Sequence, residues 1–245
     1  MKIVFTGGGS GGHFYPIIAV AEAFRKITKD ERLLEAELFF FSDNAYDRKA
    51  LFENGITFKR TFAGKMRRYF SLLNFFDLFK TAAGLLKAFI EVFRIFPDVV
   101  FAKGGYASFP TLFAARLLGI PVIIHESDSV PGRVNLWAGK FARRVAVSFP
   151  EAVSYFPEQK VAFIGNPVRH ALLSVSPAGA REFLGLEPEI PVIFVIGGSQ
   201  GAALINDVLI EALPELLKRY QVIHQTGEKN FESVKETSAL ILGES

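Results

Sequence analysis

The 245-residue chain has no cysteine, one tryptophan, two methionines and four histidines. Without thiols it forms neither a disulfide scaffold nor a thiolate metal site, and a cysteine nucleophile is excluded. The histidines, at positions 13, 125, 170 and 224, lack metal-ligand spacing. No Asp-x-Asp pair is present, which disfavours a nucleotide held through a divalent ion. Neither a Walker lysine after a glycine cluster nor a Gly-x-Ser-x-Gly elbow occurs. No run reaches about eighteen apolar residues. Lys87, Glu91, Arg94 and Asp98 interrupt the phenylalanine-rich stretch 84–101. The N-terminus runs from a short apolar segment straight into glycines, unlike a secretory signal. The expectation is a soluble, intracellular-type chain.

What is present points to a large core. Half of the residues are hydrophobic and 26 are phenylalanine, which excludes disordered and low-complexity classes. The formal charge of +3 conceals an asymmetry. Residues 167–245 carry six Lys/Arg against ten Asp/Glu, leaving the first 166 residues at +7. A basic first part suits phosphate or an anionic surface as a partner.

Strand and helix signals alternate from the start. Strand-like runs occur at 2–6, 36–41, 56–62, 98–102, 120–124, 144–149 and 160–164. Helical patterns fill about 14–28, 44–54, 70–96, 107–118 and 132–141. That alternation predicts a parallel sheet covered on both faces. After Gly165-Asn166-Pro167 the order restarts with a strand at 191–196, a helix over about 202–218, a strand at 221–225 and a helix near 229–239. The expected organisation is a first domain over 1–166 and a partial second domain over 167–245, with the linker near 166–188.

Five of the six residues from Gly7 to Gly12 are glycine. Glycines between a strand and a helix let backbone N–H groups approach an anion at the helix N-terminus. Gly7, Gly9 and Gly12 satisfy the dinucleotide pattern formally. The acidic residue expected about 20 positions beyond is displaced to Asp43, which weakens a nicotinamide-cofactor reading. His13 opens the helix, where a neutral ring is favoured; a packing histidine is the bland alternative. A second glycine turn at 197–201, containing Gly198, Ser199 and Gln200, again joins strand to helix. Two such turns in consecutive units suggest two helix tips facing a shared cleft, although close helix–sheet packing alone would also use glycine.

Polar groups cluster where the first sheet's strands end, the usual ligand position in such sheets. They are Lys103, Gly105 and Tyr106; His125, Glu126 and Asp128; and Asn166 and Arg169. Taken one at a time, Glu126 reads as a surface or capping carboxylate and Arg169 as a solvated arginine. Residues 55–76 hold Lys59, Arg60, Lys65, Arg67 and Arg68 with no acid, interleaved with aromatics. The next helix has a narrow polar stripe, and its Phe79, Leu86 and Phe93 read as core. The basic and aromatic region 59–79 suits an anionic lipid surface. Single-stranded nucleic acid is the alternative, and the partner expected is not nucleic acid.

The segments GGGSGGHFYP at 7–16, KGGYASFP at 103–110, HESDSVPGRVN at 125–135, GNPVR at 165–169 and GGSQGA at 197–202 together resemble the MurG family. The resemblance implies an α/β fold of GT-B type, with two Rossmann-like doubly wound parallel-sheet domains, the second incomplete here. It implies an inverting, metal-independent transfer of N-acetylglucosamine, with no cofactor. UDP-N-acetylglucosamine is the implied donor. The implied acceptor is the 4-hydroxyl of the muramyl residue in undecaprenyl-pyrophosphoryl-N-acetylmuramyl-pentapeptide. Carried over by position, Ser10, Gly11, Gly12, Gly105, Tyr106, Asp128, Arg169, Ser199 and Gln200 contact substrate. His13 and Glu126 are the catalytic pair, and which of them takes the proton stays open. Asp128 departs from the asparagine frequent in the family. The family continues beyond residue 245, so the chain alone is expected to bind UDP-sugar poorly and to be inactive. A peripheral position at the cytoplasmic face of the membrane is implied. Alternatives are another GT-B transferase with a lipid acceptor, or a noncatalytic UDP-sugar or lipid-phosphate binding subunit.

Overall fold

The computed structural model describes residues 1–8, 10–63, 73–173, 179–198 and 200–243, with backbone alone at 73–80. The chain folds as two compact units, Met1–Leu173 and Ser174–Ser245.

The first unit runs β1 (Lys2–Gly7), α1 (Gly11–Asp30), β2 (Glu37–Ser42), α2 (Arg48–Glu53), β3 (Ile56–Arg60), α3 (Leu73–Ile95) and β4 (Val99–Gly104). It continues with α4 (Phe109–Leu117), β5 (Val122–Glu126), α5 (Arg133–Gly139), β6 (Arg144–Val147), β7 (Val161–Phe163) and α6 (His170–Leu173). All strands pair in parallel, in the order β3-β2-β1-β4-β5-β6-β7. The order reverses between β1 and β4, and the carboxyl ends of those strands frame the crevice where open α/β sheets bind ligands.

Side-chain alternation explains the two cores. Ile3 and Phe5 join Phe14, Ile17, Ile18, Leu38 and Phe40 under α1 and α2. Val4 points the other way and joins Val100, Leu112, Ile124, Ala88 and Val92 under α3 to α5. With period 2 and both faces covered, the strands read as near-continuous apolar runs.

Several elements differ from the sequence expectation. The helix expected over 44–54 is confined to α2. Asn44 Oδ1 accepts the Tyr46 N–H at 3.1 Å and Tyr46 adopts φ +58°, so 43–47 is a turn that ends in Asp47 capping Ala50 N at 2.9 Å. The helix expected from 107 begins instead as a 3₁₀ turn, Tyr106–Ser108, after Gly105. Leu86 and Phe93, read as core, are 63% and 59% exposed. The buried face of α3 is carried by Ala88 and Val92, and Gly84 lies directly against the Phe62 carbonyl. Small residues bring the helix close to its neighbours, and the larger side chains turn outward. Phe79 and most of the 59–79 region lie outside the described side chains.

The second unit contains α7 (Ala180–Phe183), β8 (Val192–Ile196), α8 (Ala203–Leu216), β9 (Gln221–Gln225) and α9 (Phe231–Leu242). β8 and β9 pair in parallel, and Leu209, Ile210 and Leu213 of α8 are buried.

Candidate functional site

The first glycine loop leaves the sheet at the switch point and enters α1. Ser10 occupies the N-cap with extended backbone, yet its hydroxyl caps nothing. It meets His13 Nδ1 at 3.1 Å instead. The first turn of α1 thus keeps donors without a side-chain cap, the arrangement that suits an anion. Gly11 is buried and Gly12 exposed. Burial is the main cause lowering the proton affinity of His13; nearby Lys103 adds to it, while Asp128 and Glu126 oppose it.

The loop after β4 packs against the glycine loop. Gly105 adopts φ +81°, and a Cβ there would lie 2.7 Å from the Gly8 carbonyl oxygen and 3.6 Å from His13 Nε2. Only glycine combines that backbone conformation with so close an approach. Tyr106 donates its hydroxyl to Asp43 Oδ2 at 2.6 Å, and burial together with that bond pushes its pKa up. Asp43, the displaced acidic residue of the dinucleotide pattern, is engaged by this tyrosine.

Glu126 ends β5 and is 4% exposed. Oε1 accepts Ser127 N at 2.8 Å and Asp128 N at 3.0 Å; Oε2 accepts Gly132 N and Asn135 Nδ2, each at 3.0 Å. Four donors converge on this carboxylate, which shapes the loop carrying exposed Asp128. Neighbouring His125 is fully buried, with Nε2 3.0 Å from the Gly165 carbonyl. Burial lowers its pKa to about 4, against the opposing carbonyl bond.

Arg169 lies within the first unit, just past the boundary expected at 166. Its guanidinium sits 4.0 Å from the centroid of the Tyr15 ring, a cation–π stack. Its Nε is buried without a hydrogen-bond partner. This is a held arginine rather than a freely solvated one.

One end of the first unit therefore brings together Ser10, His13, Gly105, Glu126 and the loop bearing Asp128; Arg169 stacks on the same helix, α1. Sequence reasoning did not single out Asn135 or Tyr15, whose contacts with Glu126 and Arg169 form only on folding. In the second unit, Gly198 (φ +76°) and Gly201 (φ +73°) form the second turn. Gln225 ties it, donating to the Gly198 carbonyl at 2.8 Å and accepting Gly197 N at 3.1 Å. Gln200 is exposed, and Ser199 lies outside the described residues.

Comparison with known proteins matches residues 3–147 to the glycosyltransferase family 28 N-terminal domain and residues 192–241 to the family 28 C-terminal domain. A Bacillus cereus protein named UDP-N-acetylglucosamine--N-acetylmuramyl-(pentapeptide) pyrophosphoryl-undecaprenol N-acetylglucosamine transferase 2 is 38% identical over 231 residues, 94% of this chain and 64% of the relative. A Treponema denticola transferase of the same name, without the final number, is 41% identical over 242 residues, again 94% of this chain and 60% of the relative. The chain thus spans 60–64% of the length of these curated relatives. The crystal structure of Acinetobacter baumannii MurG superposes with TM-score 0.64 at 24% identity, covering 97% of this chain and 62% of that one. The fold is of GT-B type, as the motifs imply.

Proposed function

The chain belongs to glycosyltransferase family 28, and on that premise we propose that it serves the transfer of N-acetylglucosamine from UDP-N-acetylglucosamine to the 4-hydroxyl of the muramyl residue of undecaprenyl-pyrophosphoryl-N-acetylmuramyl-pentapeptide. The similarity to named transferases of this reaction supports donor and acceptor alike. The first domain, expected over 1–166, is the acceptor and membrane side; the donor nucleotide belongs to the second, expected over 167–245.

The observation that carries the mechanism is the setting of His13. Its Nδ1 is engaged by Ser10 and its proton affinity is lowered, so Nε2 can present a lone pair when Nδ1 carries the hydrogen. His13 takes the proton of the acceptor hydroxyl as the oxygen attacks the anomeric carbon. The bond from that carbon to UDP breaks on the opposite face, and the configuration inverts. Glu126 is the less apt base, because both of its oxygens are already engaged by donors. It holds the loop so that Asp128 can accept a sugar hydroxyl. The N-terminus of α1, with Ser10, Gly11 and Gly12, receives a substrate phosphate, as Gly105 and Tyr106 line the loop beside it. Arg169, Ser199 and Gln200 contact the donor, and positive charge with helix N-termini offsets the negative charge of departing UDP without a metal. The absence of an Asp-x-Asp pair is in keeping with that route.

At the membrane, Leu86, Ile90 and Phe93 form an exposed apolar row on α3. Arg60 and Lys87 lie 5.6 and 4.8 Å from the Phe62 ring centroid. This combination supports peripheral attachment to an anionic surface, on the cytoplasmic face where the nucleotide sugar is found. No helix among the described residues is long and apolar enough to cross a membrane.

The test is transfer from labelled UDP-N-acetylglucosamine to the lipid acceptor by the protein of the complete reading frame. His13→Gln is expected to lower kcat about 100-fold or more with KM little changed. Retention of kcat within about threefold of wild type overturns the assignment of His13.

A further inference from the structure

Lys103 is the last side chain before Gly104 at the end of β4. Strand alternation places it on the same face as Phe101, which packs edge-on to Phe5 at 5.9 Å. A Cβ at Gly7 would lie 3.2 Å from Lys103 Cβ, so the lysine stem runs beneath the first glycine loop. The residue is 1% exposed, and its Nζ is buried with no hydrogen-bond partner. A buried ammonium without a partner is among the costliest groups a fold can keep. Packing alone gives no reason for it, since Met would fill the same space without charge.

The charged groups around His13 give one. Glu126 at the end of β5 and Asp128 in the following loop both favour a protonated imidazole. Asp43, at the end of β2, is occupied by the Tyr106 hydroxyl. His125 stays neutral through the physiological range and supplies no charge. Among the described residues, Lys103 is the cation whose charge acts on His13, and its Cβ and the His13 carbonyl oxygen both lie against Gly7.

We propose that Lys103 is a positioning residue of the transfer site: its buried ammonium offsets Glu126 and Asp128 and so adds to the burial that keeps His13 unprotonated and able to accept a proton. The proposal rests on the reading of His13 as the proton acceptor. Burial brings the Lys103 pKa down to about 8, with Glu126 and Asp128 acting to raise it. The side chain is therefore mostly charged at neutral pH. The same ammonium also depresses the proton affinity of His125, after the larger effect of burial.

The experiment is an NMR titration of the 245-residue chain, with the His13 ring signal assigned by its loss in His13→Gln. Lys103→Met is expected to raise the His13 midpoint by about 0.5 pH or more, and Asp128→Asn to lower it. An unmoved His13 midpoint in natively folded Lys103→Met overturns the proposal. Asp128→Asn changes an exposed side chain and leaves the core intact. In it the Lys103 midpoint, read from the ¹³Cε resonance, is expected to fall, and no change there also overturns the proposal. The pH–rate profile of the complete reading frame separates the two readings. If Lys103→Met moves the His13 midpoint but leaves the acid limb of kcat in place, Lys103 keeps its electrostatic role, and His13 is not the base.

Discussion

Replacing Glu126 by Gln distinguishes a carboxylate that shapes the loop from one that merely sits near the site. In the wild type, Oε1 serves Ser127 N and Asp128 N while Oε2 serves Gly132 N and Asn135 Nδ2. A glutamine can keep one oxygen facing the first pair. Its NH₂ then faces the Gly132 N–H, donor against donor at a position 4% exposed, and Asn135 can offer its Oδ1 only by giving up the bond from Nδ2 to the His125 carbonyl. Hydrogen bonds to a charged acceptor contribute about 1.5–3 kcal/mol each, and stranded buried donors add a penalty. The expected loss is about 3–5 kcal/mol of first-unit stability. At about 2–4 °C per kcal/mol for a unit of this size, the melting midpoint should fall by about 10 °C. The chain's one tryptophan, Trp137, lies on α5 just beyond Asn135, so its fluorescence during urea or thermal unfolding follows the affected region. A change smaller than about 1 kcal/mol would show that the loop does not depend on the charge and would refute this account of Glu126.

Two further outcomes are expected. The His125 midpoint is about 4 in the folded chain against an ordinary 6.5, so the unfolded chain binds the extra proton between those values. The associated stability is present above pH 6.5 and falls by about 3 kcal/mol as pH drops to about 4. Urea unfolding at several pH values should show this slope reduced in His125→Gln, and equal slopes in both proteins would be inconsistent with it. For the membrane contact, Leu86→Ser with Phe93→Ser should cut the fraction that floats with anionic vesicles about threefold or more. Equal flotation of variant and wild type would remove α3 from that surface.

The parallel sheet and the turns that carry the site were legible because glycine clusters, strand runs and polar strand ends recur in a fixed order. The details that escaped depend on turn geometry and on contacts that form only when the segments pack. The 44–54 segment has helical residues, but the Asn44–Tyr46 contact and the Asp47 cap delay the helix to Arg48. Leu86 and Phe93 are apolar enough for a core, yet Gly84 and Ala88 set the face that packs. Glu126 looked like a surface acid because its partners Gly132 and Asn135 reach it only when the following loop curls back. Lys103 had a readable signal in the alternation that pairs it with Phe101. Its ammonium's lack of a partner became visible only when β1, β4 and β5 were side by side.

The central position of β1 has a consequence for synthesis. Lys2–Gly7 is made before the other strands of its sheet, but one of its neighbours, β4, begins only at Val99, and the Glu126 loop follows later still. Until then one side of β1 has open backbone groups and apolar side chains, a template for wrong pairing. The glycine loop thus acquires its final surroundings only after the strands through β5 and the loop that follows it have been made. A nascent chain stalled before about residue 126 would be a natural client for a holding chaperone.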